Sequence, residues 1–430
     1  MMITIKTNKV KRMVKGFLPF YLFTFLPFCA QAQTQQTFEY DMTQQQPVYN
    51  NEAGYGYDVI DAPDGKTLTP YYFSQKVDDG NYKVTVVLGS KKQAGNTVVR
   101  AESRRLFVEE TATKKGELKT VEFIVNKRSP KIDKKNTVKI KDREKTYLDW
   151  DDRLTIEING SAPVISSIKI EPAPADVTTI FLCGNSTVVD QNNEPYASWG
   201  QMIPRWFDTT VAISNHGESG LTAKSFLGSK RLDKILAMMK KGDWVFVEFG
   251  HNDAKEKGPG CGPWYHYSMN LKIFIDKVRE KGGHIAFCTP TMRRIFEKDN
   301  KTIRNSHGEF PAAMKAVAER ENVPLIDLSS LTKEFFETLG FEGSKKALCY
   351  YPMGSFPNQK KELADRAHFS TYGAYEVAKM VIMGMKQHNM PFVKGLKSDF
   401  KDFTPQQPDD PDKFVWYRSA KNDVTKPDGD

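Results

Sequence analysis

Cysteine is scarce in this chain, with five among 430 residues. Cys29 falls in an N-terminal apolar run, and the remaining four, Cys183, Cys261, Cys288 and Cys349, are too few for a disulfide scaffold. Cys183 and Cys288 lie in apolar strand-like runs and read as small core hydrophobes. Cys261 and Cys349 lie in loop-like stretches, and the sequence leaves open whether they pair in an oxidising compartment. Histidine is also sparse: the seven, at 216, 251, 266, 284, 307, 368 and 388, form no His-x-x-x-His or His-Glu arrangement of zinc spacing. No metal or other cofactor is therefore expected. "GPGCGP" at 258–263 lacks the strand-to-helix setting and the Gly-Lys of a phosphate loop, and with "WYHY" at 264–267 it reads as a loop flanking a site. A membrane span needs roughly 20 unbroken apolar residues. "GFLPFYLFTFLPFCA" at 16–30 is shorter and is interrupted by Pro19 and Pro27.

That run has a different reading. Lys6, Lys9, Lys11, Arg12 and Lys15 precede it, no acid lies before residue 33, and Ala30-Gln31-Ala32 forms a small-x-small cleavage site. Residues 1–32 are thus expected to be a secretory signal, cleaved near Ala32, which makes the mature protein periplasmic or extracellular. Phe28 is too large before Cys29 for a lipoprotein box. Five of the surplus charges behind the net +9 belong to this segment. No nucleic-acid partner and no stable membrane insertion are expected of what remains, and oligomeric state is not legible.

Two rhythms follow. Residues 33–172 alternate with period two: Tyr82, Val84, Val86 and Leu88 share one strand face, as do Val121, Phe123 and Val125, then Leu154, Ile156 and Ile158, then Ile168 and Ile170. Turn-rich pieces such as "DDGN" separate these runs, which reads as an all-β sandwich. After the stiff "EPAPAD" at 171–176 the pattern changes. Over 177–395, strand-like "TTIFLCG", "VAISNHG", "WVFVEFG", "HIAFCTP" and "PLIDLS" alternate with helix-like "RLDKILAMM", "LKIFIDKV", "PAAMKAVAER" and "TYGAYEVAKMVIMGM". Such alternation predicts an α/β domain with a parallel sheet covered on both faces. The Pro- and Asp-rich tail, 396–430, is expected to lie over the surface or to fray.

Polar groups gather at the predicted carboxyl ends of successive strands, where sites lie in such sheets. The first strand ends in Gly184-Asn185-Ser186, the second in "SNHGESG" with Gly220, the third in "EFGHND" with Asn252. Asp365 and His368 stand three residues apart in "DRAHFSTYGA", where the last helix is expected to open. Singly, each has a structural reading. Ser186 could cap a helix, Asp365 another, "GHND" could be a loop and His368 a surface residue. Together they supply what ester hydrolysis needs: a nucleophile (Ser186), a base (His368), its orienting carboxylate (Asp365), and oxyanion donors from Gly220, Asn252 and the Ser186 amide. His216 and His251, beside the second and third clusters, together with Arg293 and Arg294 after the fourth strand, are expected to touch substrate, although His216 as a lone residue reads equally well as structural. Lys224 and Arg366 would add positive charge to the rim.

In these motifs, and in "YASWGQMIPRWF", "TPTMRR" and "HGEFPAAMKAVAERENVPLIDLSS", the sequence over about 177–395 resembles the SGNH (GDSL-like) hydrolases, within them the rhamnogalacturonan acetylesterase-like branch. The resemblance implies a three-layer α/β/α, flavodoxin-like domain with Ser186, His368 and Asp365 as triad. It also implies a galactose-binding-like jelly roll for the preceding β-region. Asn185 departs from the usual Asp of the first motif, which puts the electrostatics around Ser186 in doubt but leaves serine, histidine and oxyanion donors in place. No Gly-x-Ser-x-Gly elbow is present, against the usual α/β-hydrolase architecture. The resemblance implies a cofactor-free O-acetylesterase acting on an acetylated acidic polysaccharide of pectic type. The alternatives are an esterase or lipase of the same fold on another acyl ester, such as acetylated xylan, and a mainly carbohydrate-binding protein with a vestigial hydrolase.

Overall fold

Period-two alternation builds the first half of the chain. Its strands are β1 (Phe38–Asp41), β2 (Tyr55–Asp58), β3 (Tyr71–Lys76), β4 (Gly80–Leu88), β5 (Gly95–Ala101), β6 (Arg105–Thr113), β7 (Lys119–Lys127), β8 (Arg153–Ala162) and β9 (Ile165–Pro172). One layer runs β2-β3-β8-β5-β6 and the other β1-β9-β4-β7, antiparallel throughout. The inward sets read from the sequence meet between them: Val84, Val86 and Leu88 of β4 and Leu154, Ile156 and Ile158 of β8 are fully buried in one apolar cluster with Ile168, Ile170 and Phe123. The computed structural model that carries these details describes residues 36–430 apart from 65–66, 358, 422–425, 427 and 429–430. The expected signal lies outside the described residues.

The second half holds the five expected strands, β10 (Thr178–Gly184), β11 (Val211–Asn215), β12 (Trp244–Glu248), β13 (His284–Cys288) and β14 (Leu325–Ile326), all parallel. Their order, β11-β10-β12-β13-β14, is the 2-1-3-4-5 order of flavodoxin-like sheets. Alternate residues of β10 point to opposite layers. Ile180 and Leu182 pack with α1 (Trp199–Met202), α6 (Leu328–Gly343) and α7 (Thr371–Gln387), while Phe181 and Cys183 pack with α2 (Ala223–Gly228), α3 (Arg231–Met238), α4 (Ser268–Glu280) and α5 (Phe310–Glu321). This is the three-layer α/β/α architecture. The helices α1, α2 and α6 were not anticipated, nor was a hairpin of β15 (Leu348–Tyr351) with β16 (Leu363–Phe369).

The change of rhythm near 172–177 does not interrupt the packing. Strand β7 lies beside β11, with Val125 opposite Ile213, so a single nine-stranded sheet runs through both halves. Val98 and Leu106 of the β-region join the core around α1 and α7. The described residues from Gln36 onward form one compact unit. The tail is anchored as well as superficial. Trp416 Nε1 donates to Glu194 at 3.0 Å, Ser419 Oγ to Glu157 at 2.9 Å, and Arg100 stacks over Trp416 at 3.8 Å.

Candidate active site

Strand β10 stops at Gly184 because the chain must fold back on itself there: a Cβ at that position would lie 2.3 Å from Val188 Cγ2. Asn185 then closes a turn. Its Oδ1 accepts from Thr187 N at 3.1 Å and Thr187 Oγ1 at 3.0 Å, and its carbonyl accepts from Val188 N and Val189 N. An amide oxygen thus does the turn-closing work of an aspartate, and Asn185 Nδ2 is left buried without a partner among the described residues. Ser186 emerges from this turn, with its carbonyl held by Gln191 Nε2 at 2.7 Å.

Asp365 and His368 lie in β16, in the strand before the last helix and not in its first turn. Ser370 caps α7 instead. Asp365 Oδ1 accepts from the backbone N–H of Ala367 and of His368, both at 2.9 Å, and this Asx turn leaves Oδ2 aimed at the imidazole. His368 Nδ1 is 2.8 Å from Asp365 Oδ2, and His368 Nε2 is 2.9 Å from Ser186 Oγ. Burial alone would raise the pKa of Asp365, but the hydrogen bonds from His368 and the backbone outweigh it and hold the carboxyl well below the usual range. A carboxylate there fixes the tautomer with hydrogen on Nδ1, so Nε2 presents a lone pair to the serine. Tyr196 packs edge-on against the same imidazole, ring centres 5.7 Å apart.

Gly220 follows β11 with φ +80°, a left-handed conformation in which glycine is unstrained. Asn252 Nδ2 donates to Leu221 O at 3.1 Å, which brings the second and third motifs together. Asp253 cements that junction: its carboxylate accepts from Ala223 N and Gly250 N, both at 2.9 Å, and burial raises its pKa to about 7.

The expected substrate contacts fare differently. His216 is a core histidine with no exposed surface, 2.9 Å from Ser214 Oγ and packed between Trp150 and Phe181. Burial pushes its pKa well down, with Arg128, Lys234 and Arg231 adding to the effect. Arg294 is likewise structural. It donates to Ser344 Oγ at 2.8 Å and to Phe341 O, and it sits over the rings of Phe296, Phe341 and Tyr350. Arg293 reaches His251 O at 3.1 Å and Ser306 O at 3.3 Å, so it braces the third motif. His251 is buried with neither ring nitrogen hydrogen-bonded among the described residues, its ring 5.0 Å from that of His307. Burial first, then the charge of Arg293, keeps it neutral. Lys224 and Arg366 are exposed. Cys349 is buried with its thiol 3.2 Å from Phe369 O, and all four described cysteines, Cys261 included, are free thiols.

Sequence reasoning missed the support beneath the Ser186 turn. Glu248, at the end of β12, accepts from Thr187 Oγ1 at 2.7 Å and Trp199 Nε1 at 2.5 Å, and burial raises its pKa to about 7. A glutamate inside the apolar run "WVFVEFG" was the available signal. The β-region contributes buried arginines to the same loop. Arg105 Nε donates to Asp190 Oδ2 at 2.7 Å, and Arg104 Nε donates to Gln191 O at 3.0 Å. Among the described residues, no cluster of three or more His, Cys, Asp or Glu side chains is placed to hold a metal ion.

A serine hydroxyl bonded to an imidazole, itself bonded to a buried carboxylate, at the carboxyl ends of a 2-1-3-4-5 sheet, equips a chain for serine ester hydrolysis. The comparisons agree in class. The chain belongs to the GDSL-like Lipase/Acylhydrolase family, whose model matches residues 182–373, and it is a carboxylic ester hydrolase. It is 38% identical over 221 residues to the rhamnogalacturonan acetylesterase RhgT of Bacillus subtilis, covering 51% of this chain and 94% of that one. It is 33% identical over 222 residues to the probable rhamnogalacturonan acetylesterase YesY of the same organism, covering 50% and 96%. The rhamnogalacturonan acetylesterase of Emericella nidulans is 26% identical over 197 residues, covering 41% and 77%.

Proposed function

We propose that this protein is a secreted carbohydrate O-acetylesterase that removes acetyl groups from a pectic polysaccharide of the rhamnogalacturonan type. The observation that carries the reading is the unbroken chain Asp365 Oδ2, His368, Ser186 Oγ, with steps of 2.8 and 2.9 Å. The names of the relatives support the acetylated pectic substrate.

In this mechanism Ser186 Oγ attacks the acetyl carbonyl carbon while His368 Nε2 takes the hydroxyl proton. Asp365 stabilises the imidazolium and holds its orientation. Charge growing on the carbonyl oxygen is met by the amides of Ser186 and Gly220 and by Asn252 Nδ2. The tetrahedral species collapses, the carbon–oxygen bond to the sugar breaks, and His368 returns the proton to the departing sugar hydroxyl. A water, deprotonated by His368, then cleaves the acetyl-serine and releases acetate. His251, neutral and beside the third motif, is assigned to substrate contact.

Secretion rests on the N-terminal pattern, and N-terminal sequencing of the exported protein would show a start after Ala32 if it is right. The activity is tested by acetate release from acetylated rhamnogalacturonan, homogalacturonan and xylan. Release from the first is expected, and its absence would end the substrate assignment.

A further inference from the structure

A polyuronate needs cations to receive it, yet of the four expected ones Arg294 is buried and Arg293 braces the third motif, which leaves the exposed Lys224 and Arg366. A different pair stands at the rim, and it comes from the β-region. Lys141 and Arg143 lie at the start of a short 3-10 turn, Asp142–Thr146, between β7 and β8. Both reach across to the loop that carries Gly220. Lys141 Nζ donates to Ser219 O at 2.6 Å, and Arg143 Nη2 donates to the same carbonyl at 3.2 Å. Arg143 Nε also donates to Glu218 Oε1 at 3.1 Å, and that carboxylate is 2% exposed. The buried Glu218 and the Ser219 carbonyl thus fix two cations from beneath. About a third of each side chain, 33% for Lys141 and 29% for Arg143, stays open to solvent.

The open side already holds a carboxylate. Asp428, near the end of the chain, places Oδ2 at 2.9 Å from Lys141 Nζ and 2.7 Å from Arg143 Nη1. This ion pair lies over the oxyanion loop: a Cβ built on Gly220 would be 2.8 Å from Asp428 Cβ and 3.3 Å from Lys141 Nζ. The same loop is coupled to the nucleophile, since Gln191 Nε2 bonds both Ser186 O at 2.7 Å and Ser219 Oγ at 3.5 Å. A carboxylate bound here is therefore next to the residue expected to hold the oxyanion.

We infer that Lys141 and Arg143 form a carboxylate subsite that seats a uronate of the substrate beside the acetylated sugar, and that Asp428 occupies it when substrate is absent. The inference rests on the polyuronate reading above. It gives the β-region a direct part in specificity: two donors, preorganised on Glu218 and Ser219, match the two oxygens of a uronate. It also makes the tail carboxylate a competitor, because one pair of cations cannot fully satisfy two carboxylates at once.

The test uses the full chain and inhibition of 4-nitrophenyl acetate hydrolysis by digalacturonate, with its methyl ester as the uncharged control. Lys141→Met should raise the inhibition constant of digalacturonate about tenfold, the scale of one lost charge-assisted hydrogen bond, and leave that of the ester unchanged. Lys141→Arg should restore most of the loss. Asp428→Asn should lower the constant for digalacturonate, since the internal competitor has lost its charge. An unchanged constant in Lys141→Met, or a raised or unchanged one in Asp428→Asn, would overturn the inference. Acetate release from acetylated rhamnogalacturonan is scored separately. If it is absent while the inhibition pattern holds, the substrate assignment fails and the carboxylate subsite stands.

Discussion

Asp365→Asn isolates the tautomer argument, because the structure dictates how the new amide must sit. Oδ1 of Asp365 accepts two backbone N–H groups, from Ala367 and His368, and only an oxygen can take that place. The substituted amide must therefore turn its NH2 toward His368 Nδ1. Nδ1 then becomes the acceptor, the imidazole hydrogen moves to Nε2, and Nε2 can no longer take the Ser186 proton. The fold keeps both backbone bonds, so stability should change little. A carboxylate-to-amide change that imposes the wrong tautomer lowers kcat by about 10^4-fold, equivalent to about 5 kcal/mol of transition-state stabilisation. Steady-state acetate release and a circular dichroism melt, run on the same preparations, read the two halves of the claim. A kcat within tenfold of wild type in a folded variant would refute the assignment of Asp365 as the orienting carboxylate.

Three further outcomes follow from the same geometry. Asn252→Ala should lower kcat by about 10^2- to 10^3-fold with a smaller effect on KM, because the amide acts on charge that develops in the transition state; a pure KM effect would instead make Asn252 a ground-state contact. Glu248 has its pKa raised from 4.5 to about 7 by burial, so its share of stability is full below about pH 4.5 and is lost as pH rises through 7. Glu248→Gln keeps an acceptor and removes that titration, and it should recover on the order of 3 kcal/mol at pH 8 relative to pH 4 in denaturant unfolding; an unaltered pH dependence would contradict this. A fragment beginning at Asp176 would lose Val98 and Leu106 from the core around α1 and the Arg105–Asp190 pair behind the nucleophile loop. It should be insoluble or unfolded, and a folded, active fragment would show that the β-region is dispensable.

Much of this was legible from local pattern. Strand periodicity placed both halves, since inward sets such as Val84, Val86 and Leu88 depend only on which face meets the core. Ser186 was visible because an apolar strand ran straight into a polar turn. Asp365 and His368 were singled out by their chemistry, but their i, i+3 spacing suggested a helix start; an Asx turn within β16 produces the same spacing. What stayed hidden was set by tertiary packing. Nothing local to "SNHGESG" shows that His216 points into the core, or that Arg294 ends among Phe341 and Tyr350. Nor does the change of rhythm at 172–177 reveal that β7 lies beside β11. Lys141 and Arg143 lie far from Gly220 in sequence, and only the shared sheet brings them to it.

The central claim is that Ser186 hydrolyses acetyl esters on an acidic pectic polymer. Its most direct test is acetate release by wild type and Ser186→Ala on acetylated rhamnogalacturonan and acetylated xylan of matched acetyl content. Wild type should show the higher kcat/KM on rhamnogalacturonan, and the folded variant should lose roughly a millionfold in turnover on both. Residual activity near wild type in Ser186→Ala, or a wild-type preference for xylan, would contradict the account.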